Sequence, residues 1–145
     1  MSLVIERGSM PRMKVVPDVE TLPTWMRRTL FATAAMNIVA AFGFLPSARL
    51  ARVAAGLPEE APAVYLLMIG MFVLLFGVGY LWTATSGRAE RLFIALSAAG
   101  KITFCGLLAT LWATGTLSIQ APIAAAPDLV FGLLFLVWLV GGTSR

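Results

Sequence analysis

The sequence predicts an all-α integral membrane protein: a four-helix up-down-up-down bundle with both termini cytoplasmic. Three observations carry that prediction. Apolar residues make up 59% of the 145-residue chain and charged residues only 12%, against about 45–50% and about 25% in soluble domains. Charge-poor apolar runs recur, each near the roughly 20 residues that a helix needs to cross a bilayer. The links between these runs are short, which favours antiparallel neighbours.

Residues 1–27 read as a polar, proline-containing leader without helical periodicity, in which Met10 and Met13 offer alternative translation starts. The transmembrane domain then occupies 28–145. Its first span, about 29–46, is charge-free and ends near Pro46. A secretory signal is the competing reading of this span, but the leader is long and no small-residue cleavage pattern follows before Arg49. The second span, about 63–83, lies in a charge-free run. The third, about 92–113, is interrupted only by Lys101. The fourth, about 119–141, contains Asp128, and Pro122 and Pro127 leave its start open between Ser118 and Ala124.

Basic residues set the orientation. Arg7, Arg12, Lys14, Arg27, Arg28, Arg88, Arg91 and Arg145 fall on one side of the predicted topology. Only Arg49 and Arg52 fall on the other. The net charge of +4 is explained by this flanking pattern, so no nucleic-acid partner is expected. Trp25, Trp82, Trp112 and Trp138 lie near predicted span ends, as in an interfacial aromatic belt. Stacking on a ligand is the alternative role for them. Small residues such as Gly70, Gly77, Ala98 and Gly106 mark close helix approaches, either within the bundle or on a homodimer face.

The chain has no histidine and a single cysteine, Cys105. An internal disulfide, a histidine-ligated metal or haem and a Ser-His-Asp triad are therefore excluded. No metal and no cofactor are predicted. Lys101 lies nine residues past Leu92, about 14 Å along a helix, near the middle of a hydrocarbon core about 30 Å thick. A charge there costs about 3 kcal/mol on insertion scales, so Lys101 and Asp128, on adjacent antiparallel helices, should face each other inside the bundle. Ser97 stands one turn before Lys101 on the same stripe. Asn37 is midway in the first span and Tyr80 near the end of the second. Lys101, Asp128, Asn37, Ser97 and Tyr80 are the candidate ligand-binding or polar-core residues, and no catalytic residue is assigned. Three readings of the two residues remain open: a clamp that fixes helix register, a pair that also binds a ligand or moves a proton, or an unpaired Lys101 that snorkels while Asp128 sits among the headgroups.

Gly79-Tyr80, Arg88 and Arg91, Gly100-Lys101 and Asp128-Leu129 form a pattern that resembles small bacterial four-helix membrane proteins of the loose DoxX-like group. The resemblance implies a multi-pass protein of a bacterial inner membrane. Some members resemble quinone-linked redox subunits, and no cofactor motif accompanies the pattern here. Three function classes follow. The first is a non-enzymatic accessory subunit, or a binder of a lipophilic molecule, with the bilayer and a small molecule or membrane protein as partners. The second is an enzyme or redox-complex subunit acting on a quinone-like substrate, in which Lys101 would donate to a carbonyl. The third is a small proton-coupled exporter, which this chain matches in size while its first span lacks an acid.

Overall fold

The computed structural model describes residues 21–141. The leader up to residue 20 and the tail with Arg145 lie outside them. The described chain is helical, built from α1 (Thr24–Gly43), α2 (Arg49–Ala54), α3 (Ala63–Ser86), α4 (Arg91–Ala113) and α5 (Gln120–Gly141). Three of these, α3, α4 and α5, are long and apolar enough to cross a membrane, which indicates a multi-pass membrane protein. The expected first span differs. α1 has 20 residues, but Arg27, Arg28 and Asn37 lie within it and lower its hydropathy below that of the other three.

α1 starts at Thr24, inside the expected leader, directly after Pro23 in extended conformation. Proline fixes its own φ and disfavours a helical residue before it, so the helix begins where the ring ends. α3 runs on to Ser86 and stops at Gly87, whose φ of +67° supplies the left-handed cap that glycine adopts without a Cβ penalty. The link between α3 and α4 is therefore shorter than expected. α5 starts at Gln120, between the two starts considered. Pro122 sits in its first turn, where its missing N–H removes no helical bond, and Pro127 lies inside it. The link between α1 and α3 is not irregular throughout: it contains α2. Six residues are too few to show periodicity, although Arg, Leu and Ala are all good helix formers.

The long helices form two antiparallel hairpins. In the first, α1 lies along α3. Gly77 approaches Asn37 and Ile38 so closely that a Cβ would come within 3.0 Å of Ile38 Cγ1 and 3.3 Å of its backbone nitrogen. In the second, α4 lies along α5, with Gly132 against Lys101 and Ile102. Both contacts follow the rule that small residues let membrane helices approach. Substitution of Gly77 by leucine should force the α1–α3 backbones apart and cost about 1–3 kcal/mol, as overpacking does elsewhere. Unfolding in mixed dodecylmaltoside–SDS micelles, followed by tryptophan fluorescence, measures this.

The two hairpins meet at one end. Met26, Leu30, Tyr80, Ile94, Phe135 and Trp138 are all buried in one cluster there. Tyr80 stacks at tilted angles on Phe93 and Phe135, with centroids 5.3 and 5.7 Å apart, in the range of favourable aromatic pairs. Backbone and arginine bonds close the same end. Leu22 N donates to Gly87 O at 2.9 Å, Arg27 Nε to Ala84 O at 3.0 Å and Arg91 Nη2 to Leu139 O at 2.8 Å. The Arg91 guanidinium also covers the Trp138 ring at 5.2 Å. These arginines satisfy carbonyls that helix ends leave without partners.

Candidate functional site

Beyond this closed end, α1 and α3 diverge from α4 and α5 and leave a cavity of about 750 Å³ between the hairpins. Most of its wall is apolar, with Phe42, Phe72, Phe76 and Phe104 among the larger side chains. Its polar groups collect in two places: Asn37, Tyr80, Ser97, Lys101 and Asp128 toward the closed end, and Arg52 on α2 at the other.

Lys101 is where the four long helices converge. It is 7% exposed. Its Nζ donates to Asp128 Oδ1 on α5 and to Asn37 Oδ1 on α1, at 3.3 Å. It also lies 5.6 Å from the centre of the Tyr80 ring on α3, within cation–π range. Asn37 is held in turn by its own Nδ2, which donates to Val73 O on α3 at 3.3 Å. Ser97 is buried one turn before Lys101, and its hydroxyl donates to Phe93 O at 2.7 Å. Ser97 and Asp128 are further polar neighbours of the Tyr80 side chain. The five residues proposed from sequence therefore stand together, and all five border the cavity.

Asp128 is the most open of the pair, with 23% of its side chain exposed. It is eight residues into α5, about 12 Å from the helix start at the usual rise. An ammonium has three donors, and two of them go to Asp128 and Asn37. The cluster thus offers a remaining donor and a partly open carboxylate to whatever enters the cavity. Cys105 continues the stripe and donates from Sγ to Ala125 O at 3.2 Å. Among the described residues, no group of three His, Cys, Asp or Glu side chains is placed to hold a metal ion.

The tryptophans take no part in the cavity wall, among the described residues. Trp25, Trp82 and Trp112 are exposed near helix ends, whereas Trp138 is buried under Arg91.

Arg52 was expected only as a charge that sets topology. It is 5% exposed. Nη1 donates to Leu45 O at 2.7 Å and Nη2 to Glu59 O at 3.4 Å, tying the end of α1 to the start of α3. Its Nε is buried without a partner. Arg49, three residues earlier, is exposed and pairs with the Glu59 carboxylate instead. Nothing in the sequence separates these two arginines, since each stands between an alanine and an apolar residue.

α2 and the residues after it close the cavity at its second end. Ala48, Ala51, Ala55 and Leu57 line it there. Gly56 presses this segment onto the start of α5: a Cβ on it would lie 2.5 Å from Ser118 Oγ and 2.6 Å from Ala121 N.

Comparison with protein-family models, curated proteins and solved structures gives no match.

Proposed function

We propose that this chain is a four-helix inner-membrane protein, with both termini cytoplasmic, that binds a lipophilic molecule between its two hairpins without transforming it. The observation that carries the reading is the juxtaposition of a large apolar cavity with a Lys101–Asp128–Asn37 cluster at its deep end. Cavities of about 300–1,000 Å³ with apolar walls and a few convergent polar groups are the usual form of small-molecule sites. In a bilayer, an ionisable residue inside a span is a functional candidate by default.

The fourth span in this reading is α1. It lies along α3 and is as long as a span requires. Its two arginines, with Arg88 and Arg91, gather at the hairpin-closed end, which supports a cytoplasmic position for that end. The Lys101–Asp128 contact is read as an ion pair, one that fixes helix register at the deep end of the ligand cavity. The likeness to the DoxX-like group is part of the same proposal: Tyr80, Lys101 and Asp128, which carry its motifs, belong to one cluster.

Gly100 gives the direct test. It borders the cavity, and a Cβ there would meet nothing within 4 Å. Gly100→Trp should fill the space and keep the helices in place. Organic extraction of the purified protein, followed by mass spectrometry, should recover a lipophilic molecule from the wild type and at least tenfold less from Gly100→Trp. Equal recovery from both, with unchanged helicity, would sink the reading.

A further inference from the structure

We infer that the cavity's occupant is a single-chain anionic amphiphile, whose carboxylate or phosphate head meets Arg52 and whose hydrocarbon lies between the hairpins toward Lys101. This rests on the cavity-binding reading and adds the head-group chemistry and the residue that selects it.

The argument starts from charge. Arg52, Lys101 and Asp128 are the ionisable acid and base groups on the cavity wall, apart from Tyr80. Lys101 and Asp128 answer each other at one end. Arg52 is left. A guanidinium stays protonated at any physiological pH and carries five donors. Two of them reach backbone carbonyls, which satisfy hydrogen bonds and leave the guanidinium without a carboxylate in direct contact. Among the described residues no carboxylate is in ion-pair contact with Arg52: Glu59 Oε1 goes to Arg49, and although Arg52 also lines, with Arg49, Glu59 and Glu60, a second cavity of about 550 Å³, neither acid pairs with it. A buried cation without a partner anion is costly, and removal of that cost is what an oxyanion would supply. Planar guanidinium donors match carboxylate and phosphate oxygens in particular.

Position gives the second half. Arg52 is on the short helix between α1 and α3, at the interfacial end of the spans, while Lys101 lies deep in α4. Between them the wall is apolar, and the start of α5 is about 12 Å from Asp128 along the helix. A molecule with its charge at the α2 end and its carbon chain along the apolar wall, short of the self-paired Lys101–Asp128 cluster, matches that order. The volume, about 750 Å³, lies within the range for single small molecules, which favours one chain over a two-chain phospholipid.

Native mass spectrometry from a neutral detergent tests this with three probes of one chain length: oleate, oleyl phosphate and oleyl alcohol. The wild type should retain one oleate or one oleyl phosphate per chain, and at least tenfold less oleyl alcohol. The stronger of the two anions identifies the head. Arg52→Gln should abolish the preference for the anion while leaving alcohol binding unchanged, and Arg52→Lys should keep the preference. Equal retention of oleate and oleyl alcohol by the wild type would overturn the anion inference and leave the cavity reading standing. Retention of none of the three would overturn both. A loss of anion binding in Arg52→Gln and Arg52→Lys alike, with lowered thermal stability in both, would reduce Arg52 to a clip for Leu45 and Glu59 and also overturn it. Should Arg52→Gln fail to fold, the wild-type comparison of heads and the Arg52→Lys result still decide.

Discussion

Asp128→Leu is expected to destabilise the protein by about 3 kcal/mol, the low end of the loss seen when one partner of a buried pair is removed. It strands Lys101, which is 7% exposed, with only Asn37 and the Tyr80 ring for company. The low end applies because a chain unfolded in detergent still finds partners for its polar groups, which narrows such differences. Lys101→Met should cost less. Asp128 has 23% of its side chain exposed, against 7% for Lys101, so the carboxylate left alone is the better solvated of the two. The double variant Lys101→Met/Asp128→Leu should return close to wild-type stability, since replacing both members by apolar groups of similar size is often neutral or stabilising. SDS titration of all four proteins completes the cycle. Additive losses in the double variant would mean that the two side chains do not act as a pair.

Gly56→Ala should be the most damaging single added methyl among the described glycines, at about 2–5 kcal/mol. Two effects combine. Gly56 has φ of +71°, and an L-residue in the left-handed region costs about 1–2 kcal/mol. The new Cβ would also stand 2.6 Å from Ala121 N, a backbone atom that cannot rotate aside, and overpacking of this kind adds about 1–3 kcal/mol. Gly87→Ala is the control. It has φ of +67°, but its Cβ would meet nothing within 4 Å, so only the conformational part should appear, about 1 kcal/mol. Unfolding midpoints for the two variants separate the clash from the backbone preference. Equal losses would mean that the contact between the α2 segment and α5 contributes nothing.

The parts of this molecule that were legible in the sequence are those where a single residue is costly in its surroundings. Lys101 and Asp128 interrupt apolar runs, and the energetic penalty of leaving either alone points each to the other. Asn37, Ser97 and Tyr80 were found by the same logic, as some of the few polar side chains within the predicted spans. Whether the pair is a clamp or a site was posed as a choice. The structure has both features, a direct contact and a cavity beside it, because Asp128 faces Lys101 with one oxygen and remains partly open. Arg52 escaped because an arginine between two spans has an adequate explanation in topology, and burial depends on how α2 folds back, a tertiary fact. α2 escaped because six residues carry no period. The start of α5 fell between the two expected because Pro122 is tolerated in a first turn, where it neither starts nor breaks the helix. α1 shows the reverse: its charge-free run from Thr29 suggested a span, but the helix extends back to Thr24 and takes in two arginines.

The division into two hairpins has a consequence for how the protein is made. The main partner of α1 is α3, and that of α4 is α5, so each hairpin can close as soon as its second helix leaves the ribosome. Lys101 and Asp128 belong to the same hairpin. They can enter the bilayer already joined, and neither has to be carried into hydrocarbon alone, which is the expensive event for an isolated charge. Asn37 and Tyr80 arrive earlier, on the hairpin already in place, and receive the ammonium when the halves dock. The order of synthesis thus matches the order in which the charges need company.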